Sequence, residues 1–412
     1  MDHERILFIN EKIMRGALIL YLLIMTIPGT ASLRSILMVI PLLCLIFQGI
    51  VTKRFPIQST PLDLPILFYA AVIIFKSITS IDPGYSMRIL RKGLLYQLLF
   101  YYVTVTVMSS PKYTRRIPII LMIAVTLVSS VGLIGYFSGE LVKSGRATSF
   151  YSSFGLAAFF TAMVMPIALS HFLCTTGWRR TIALLVLVIC LGFMLVTLSR
   201  GAWFSSLLAV SILAAIKDRR MLVLLLIGVI SAPWFLPPDI LLRATSISSL
   251  EALKNNETFG DRVWMWRSAI LMIKERPWLG AGYGNRIFQI LYPEYMFSQS
   301  SGVVFENAHN LYLQTLVETG ILGLTSFFII VMGIFYLIFI QFRYKPLPVV
   351  ESQLLGFAAS FAVFLTFSFT TFRFEKEIGI LFWILAGCVV SLYRSRSPLS
   401  GPEIDTALDF YP

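Results

Sequence analysis

Apolar residues along this chain gather into long runs near 14–30, 33–51, 62–79, 93–110, 117–138, 154–174, 181–198, 202–216, 220–237, 309–341, 349–371 and 377–393. About 20 helical residues cross a bilayer at 1.5 Å each. The twelve runs therefore predict an all-α polytopic membrane protein of about twelve transmembrane helices. The stretch from Leu184 to Ile216 is too long for one crossing and must fold back, with Leu198-Ser199-Arg200-Gly201-Ala202 at the reversal.

The polar positions orient these runs. Alternate connections carry Lys53-Arg54, Lys112 with Arg115-Arg116, Arg179-Arg180, Lys217 with Arg219-Arg220, Arg343 with Lys345, and Arg394 with Arg396. Basic loops mark the cytoplasmic face, so both termini are expected inside and Arg200 at an outer apex. The chain divides into a nine-helix bundle over 1–237, an outer loop over 238–308, three helices over 309–393 and a cytoplasmic tail over 394–412, disordered from Ser397. The outer loop is too long and polar to be an idle connection. Within it Asp261 to Lys274 reads as an amphipathic helix with Val263, Trp266, Ile270 and Ile273 on one side and Pro277 after it. Trp264, Trp266 and Trp278 suit a membrane interface. In the run from His309 to Ile340, Gly320 and Gly323 interrupt the pattern, so the spanning part is expected to begin near Ile321, with Asn307 available to cap the helix before it.

Composition supports the same class, with 57% hydrophobic and only 13% charged residues. A net charge of +13 raises nucleic acid as a partner, but the cations sit in short clusters at helix ends and membrane topology explains them better. The four cysteines, Cys44, Cys174, Cys190 and Cys388, fall in apolar segments and read as packing residues. No small-residue cleavage site follows the first apolar run, so the N-terminus is read as retained.

Some cations oppose the orientation rule. Lys76, Arg88, Arg91, Lys92, Lys143, Arg146, Arg200 and Arg262 are all expected on the outer side. Singly, each could snorkel at a helix end. As a set they suggest an anionic ligand, since guanidinium forks match phosphate oxygens. His309, beside Glu306, Asn307 and Asn310 at the start of a helix, is a candidate base or anion donor. His171 reads as packing. No His/Cys/Asp/Glu set shows metal-ligand spacing, so neither metal nor cofactor is expected. Glu375 and Glu377 share a loop with Arg373 and Lys376, which reads as self-neutralisation, and Glu318 is out of phase with His309.

His309-Asn310, followed after nine residues by Gly320 and after two more by Gly323, resembles the signature of the bacterial O-antigen ligase and polymerase superfamily. Ser199-Arg200-Gly201-Ala202, Gly260-Asp261-Arg262 through Trp266, and Pro277 through Asn285 are similar to that family in order and setting. The resemblance implies a metal-independent glycosyltransferase of lipopolysaccharide biosynthesis in the bacterial inner membrane, with its active site facing the periplasm. It would move a glycan from undecaprenyl pyrophosphate to a sugar hydroxyl of the lipid A core, inverting the anomeric carbon. Membrane lipids would be its surroundings and nucleic acid would have no part. By the same resemblance His309, Arg200 and Arg262 are the catalytic candidates, and Arg88, Arg91, Arg146 and Asn310 the substrate-binding ones. An O-antigen polymerase is the nearest alternative, and a lipid-linked sugar transporter a more distant one. Transporters favour paired halves and polar midplane sites, whereas the unusual charge here lies at one surface.

Overall fold

A computed structural model describes residues 2–27, 29–54, 57–143, 145–150, 153–245, 257–300, 302–372, 374 and 377–395. The chain is helical almost throughout. The helices, in order, are α1 (Asp2–Ile24), α2 (Ala31–Thr52), α3 (Asp63–Ile78), α4 (Pro83–Leu90), α5 (Tyr96–Val107), α6 (Pro111–Thr114), α7 (Arg116–Phe137), α8 (Phe154–Cys174), α9 (Gly177–Val196), α10 (Arg200–Lys217), α11 (Arg220–Phe235) and α12 (Pro238–Thr245). After a gap in the described residues come α13 (Glu257–Glu275), α14 (Asn285–Leu291), α15 (Leu311–Arg343), α16 (Pro348–Phe367) and α17 (Glu377–Arg394). A two-stranded hairpin, β1 (Val142–Lys143) with β2 (Arg146–Ala147), follows α7.

Each of the twelve apolar runs falls on a helix, and eight of these helices are long and apolar enough to cross a membrane. The other four are α1, which starts with charged residues, and α3, α5 and α11, which have 16, 12 and 16 residues. α5 is prolonged by a π-helical turn, Arg91–Leu95, that joins it to α4. The protein is thus an all-α, multi-pass membrane protein. The loop ends at 246–256, the tail beyond 395, and Arg373, Glu375 and Lys376 lie outside the described residues.

α8 and α17 form the centre. They are apolar on all sides and buried along most of their length, as expected of helices enclosed by others. Small residues set the close crossings. A Cβ on Gly356 of α16 would sit 2.6 Å from Ser170 Oγ of α8, and Ser360 Oγ donates to Met163 O at 2.6 Å one turn further on. At the periphery α11 buries no residue, and its exposed Val223, Leu224, Ile227 and Ile230 face the lipid.

Ion pairs tie distant elements at the two ends. Lys217 at the end of α10 meets Glu351 of α16 at 2.7 Å, and Arg34 of α2 meets Glu377 at 2.5 Å. The second pair gives Glu377 a partner from 343 positions earlier in the chain, while the loop cations expected to neutralise it, Arg373 and Lys376, lie outside the described residues. Cys44, Cys190 and Cys388 are buried free thiols, and His171 exchanges a hydrogen bond with Ser352 Oγ at 2.9 Å.

A second, smaller core lies against the bundle. Met265, Ala269 and Met272 of α13 pack with Ile287, Phe288, Tyr292, Ala308 and Val317. The amphipathic helix expected at 261–274 is therefore present, but its buried stripe is rotated from the expected one, and Ile270 is 44% exposed. Small and flexible side chains at 265, 269 and 272 fit against the α14 aromatics, a match that hydropathy alone does not register.

Candidate functional site

Arg200 begins α10 because the chain reverses over three residues after α9. Leu198 takes a left-handed conformation, φ 49°, which costs a residue with a Cβ roughly 1–2 kcal/mol. Trp203 Nε1 closes the turn by donating to Met194 O at 2.9 Å. Gly201 lets the turn dock onto the end of α16: a Cβ there would lie 2.5 Å from Thr370 Oγ1 and 2.8 Å from Phe367 Cε2.

The same corner holds the His309 segment. Ser368 O accepts from Leu311 N at 2.8 Å, so Arg200 and His309 reach one corner of the bundle from different sides. His309 is also left-handed, φ 45°, and its N–H donates to Asn307 Oδ1 at 3.0 Å. The helix cap is Asn310, not Asn307: the Asn310 Oδ1 accepts from Tyr312 N at 2.9 Å and Leu313 N at 3.1 Å. Asn310 is buried in that role. Strained φ values at non-glycine residues cluster at functional sites, and two of them flank this corner.

The backbone before His309 is braced by residues that sequence reasoning missed. Ala308 N donates to Gln314 Oε1 at 2.8 Å, and Gln314 Nε2 donates to Glu318 Oε1 at 2.6 Å. Trp266 Nε1 donates to Ala308 O at 2.9 Å. Gln314 and Glu318 lie four residues apart, one above the other in an otherwise apolar helix; that polar i,i+4 pair was the available signal. Glu318 thus bears on His309 through Gln314 and the main chain, although its spacing is wrong for direct contact.

Arg262 lies on α13 one turn before Trp266, and Arg146 lies on β2 with its guanidinium carbon 4.4 Å from the Phe154 ring centroid. Burial lowers the pKa of Arg262, and the charges of Arg200 and Arg146 lower it further; Arg146 is lowered by burial and by Arg200. All three are guanidinium groups, which stay protonated in proteins. Three partly buried guanidinium groups, from α10, α13 and the hairpin, thus share one electrostatic environment.

The glycine motifs lock the frame. Gly320 interrupts α15 with φ 67° and ψ −163° and so separates a half-helix, 311–319, from the long portion that follows. A Cβ on Gly320 would fall 2.3 Å from Trp278 C, and one on Gly280 would fall 2.5 Å from Glu318 C. The two backbones pass in contact, joined by Ala281 N to Val317 O at 2.8 Å, Gly282 N to Glu318 O at 2.9 Å and Ile321 N to Pro277 O at 2.8 Å. Gly320 is therefore a packing requirement that holds 277–282 across the kink, whereas Gly323 makes room for Thr319 of the same helix.

Arg88 and Arg91 occupy a different place. α4 docks on the far side of that glycine segment, where Ser86 Oγ donates to Tyr283 O at 2.7 Å, Tyr85 OH bonds Asn285 Oδ1, and Arg286 faces Asp82 at 3.8 Å. Both arginines are exposed and line an open recess of about 490 Å³ with Met87, Leu90 and Leu95. Lys76 is buried at the end of α3. Among the described residues, no three His, Cys, Asp or Glu side chains gather as a ligand set.

Fold and site together define a multi-pass helical membrane protein with a cationic corner built from separate elements. Residues 185–328, from α9 through the kink of α15, match the family model described as O-antigen ligase. An O-antigen ligase of Salmonella typhimurium is 24% identical over 326 residues, 73% of this chain and 76% of that protein. Both matches point to the O-antigen ligase superfamily, the group that the sequence motifs resemble.

Proposed function

We propose that this protein is an O-antigen ligase of the bacterial inner membrane, working at the periplasmic surface without a metal ion. Its donor is a glycan on undecaprenyl pyrophosphate and its acceptor a sugar hydroxyl of the lipid A core. The reading rests on Arg146, Arg200 and Arg262, three partly buried cations drawn from separate elements, because a diphosphate is the ligand chemistry that such guanidinium groups suit.

In this reaction the acceptor oxygen forms a bond to the anomeric carbon while the bond from that carbon to the pyrophosphate oxygen breaks. The hydroxyl proton leaves to a base, and the electron pair leaves with the diphosphate. Direct attack inverts the anomeric configuration. Positive charge placed where negative charge grows lowers the barrier, so Arg200 and Arg262, with Arg146, hold the leaving group. His309 lies beside the reacting centre and takes the proton or donates to the diphosphate. Gln314 and Glu318 fix its main chain, Asn310 caps its helix, and Arg88 and Arg91 guide anionic substrates to the surface.

The test is transfer by purified protein in vesicles, with chelator present, from lipid-linked donor to core acceptor. His309→Ala is expected to lose about 100-fold or more of the rate. Activity retained in His309→Gln identifies a hydrogen-bond donor, and activity lost identifies a base. A wild-type rate in His309→Ala removes the residue from the centre. A deletion strain that keeps long polymer on the carrier lipid supports ligation; single repeats on the core would instead mark a polymerase.

A further inference from the structure

The opposite end of the bundle holds a second cationic site that the transfer reaction does not use. A recess of about 350 Å³ opens between α1, α6 and α7, lined by Lys12, Arg15, Gly16, Lys112, Tyr113 and Arg116. Arg116 begins α7, whose 22 residues span about 33 Å before the hairpin that bears Arg146. The recess and the three-arginine corner therefore lie on opposite membrane surfaces.

The recess is built rather than incidental. Arg15 is only 7% exposed. Its Nε donates to Val107 O at 3.1 Å, its guanidinium carbon stacks 3.4 Å from the Tyr113 ring centroid, and Glu11 approaches it at 3.9 Å from one turn away. Arg116 approaches the same ring at 5.6 Å. Four cations thus face one cavity, and none of its lining residues is a carboxylate. A topological charge bias asks only for basic residues near helix ends; it does not ask for a buried arginine clamped over a shared tyrosine.

We propose that this recess binds the phosphate headgroup of an anionic membrane phospholipid. The source is read from what adjoins it. From Arg116 an exposed apolar stripe runs along α7 through Ile119, Ile123 and Leu127, at helical offsets of 3, 7 and 11, and Ile13 and Leu20 are exposed on α1. A phosphate held at the recess would lay its acyl chains along that stripe, which a soluble phosphate could not use.

Native mass spectrometry of the full chain in detergent, titrated with phosphatidylglycerol or phosphatidylcholine, tests this directly. Wild type is expected to retain phosphatidylglycerol in preference. Lys112→Gln with Arg116→Gln, both exposed positions, should lower that retention by about fivefold for each charge removed. Lys12→Gln, on the opposite wall, should lower it alone by a similar factor. Arg179→Gln with Arg180→Gln, a basic pair of the same predicted face, should change nothing. Equal retention in all variants overturns the site, and so does equal loss in the 179/180 control. If millimolar inorganic phosphate raises the melting temperature as much as phosphatidylglycerol does, the lipid assignment is overturned.

Discussion

The three-arginine corner and the Arg88–Arg91 ledge were expected to act as one basic surface, yet they are built on different terms. They sit toward opposite ends of the half-helix 311–319, about 14 Å long. At the corner, cations from α10, α13 and the hairpin are partly buried, and the charge of Arg200 lowers the pKa of both Arg146 and Arg262. At the ledge, the arginines are exposed along an open recess. Holding like charges together in partial burial carries a cost that an exposed ledge does not, so the corner is where an anion gains most. The sequence predicts both sets on one surface, but only the corner combines partial burial with neighbouring like charge.

The sharpest way to break that contrast is to remove one corner charge. Arg262→Ala and Arg200→Ala are each expected to lower the transfer rate by about 100- to 1,000-fold. Membrane insertion and expression should be unchanged, because neither change removes an apolar residue from a spanning helix. Arg262→Lys should recover little, since the planar fork is lost. Rates measured in vesicles with saturating donor decide the point, and near-wild-type activity in Arg262→Ala would merge the corner with the ledge.

A second substitution attacks the frame between the two regions. Gly320→Ala puts a Cβ against the Trp278 and Leu279 backbone at a residue with φ 67°. Neither backbone can yield as a side chain does, so a loss on the order of 3 kcal/mol is expected. Thermal unfolding in detergent should show a lower transition for Gly320→Ala but not for Gly228→Ala, where a Cβ meets open space.

These contrasts also mark what the sequence could disclose. The spans were legible because a run of about 20 apolar residues has one main structural use in a membrane. The reversal at Arg200 followed from length, and the break at Gly320 from a glycine in an otherwise unbroken run. The π-turn at Arg91–Leu95, the docking of α4 on 283–286 and the Arg34–Glu377 pair were not legible. Each depends on a partner 197 or 343 residues away or on a local underwinding with no side-chain signature. The left-handed turns at Leu198 and His309 were hidden for a related reason: leucine disfavours that conformation and histidine, though enriched in it, adopts it only in a minority of cases, so tertiary contacts decide. Asn310 was singled out as a substrate contact, yet its oxygen is committed to the helix cap, where asparagine is favoured on local grounds alone.

Gln314 tests how the corner is positioned. Gln314→Leu removes the acceptor for Ala308 N and the donor to Glu318, without touching any arginine. As a positioning residue it should lower kcat by about tenfold, with little change in donor KM, because the His309 main chain is displaced while the diphosphate grip is intact. Gln314→Glu keeps the acceptor and should recover part of the loss at low pH, where a proton shared with Glu318 replaces the amide. A Gln314→Leu variant that raises KM alone would mean that this helix contributes to donor binding instead.

The smallest effect belongs to the ledge. Arg88→Ala with Arg91→Ala is expected to lower the rate by no more than about fivefold, because exposed charges act through a screened field. That loss should fall on apparent KM and shrink as salt rises from low to physiological ionic strength, where the Debye length contracts to about 8 Å. The corner variants should keep their defect at every salt concentration, since partly buried groups are screened less. A ledge defect as deep and salt-independent as that of Arg262→Ala would require Arg88 and Arg91 to close over the substrate when it binds. α4 would then have to leave its anchor at Ser86 and Tyr283, a displacement that cysteine crosslinking between α4 and the 283–286 segment would register directly.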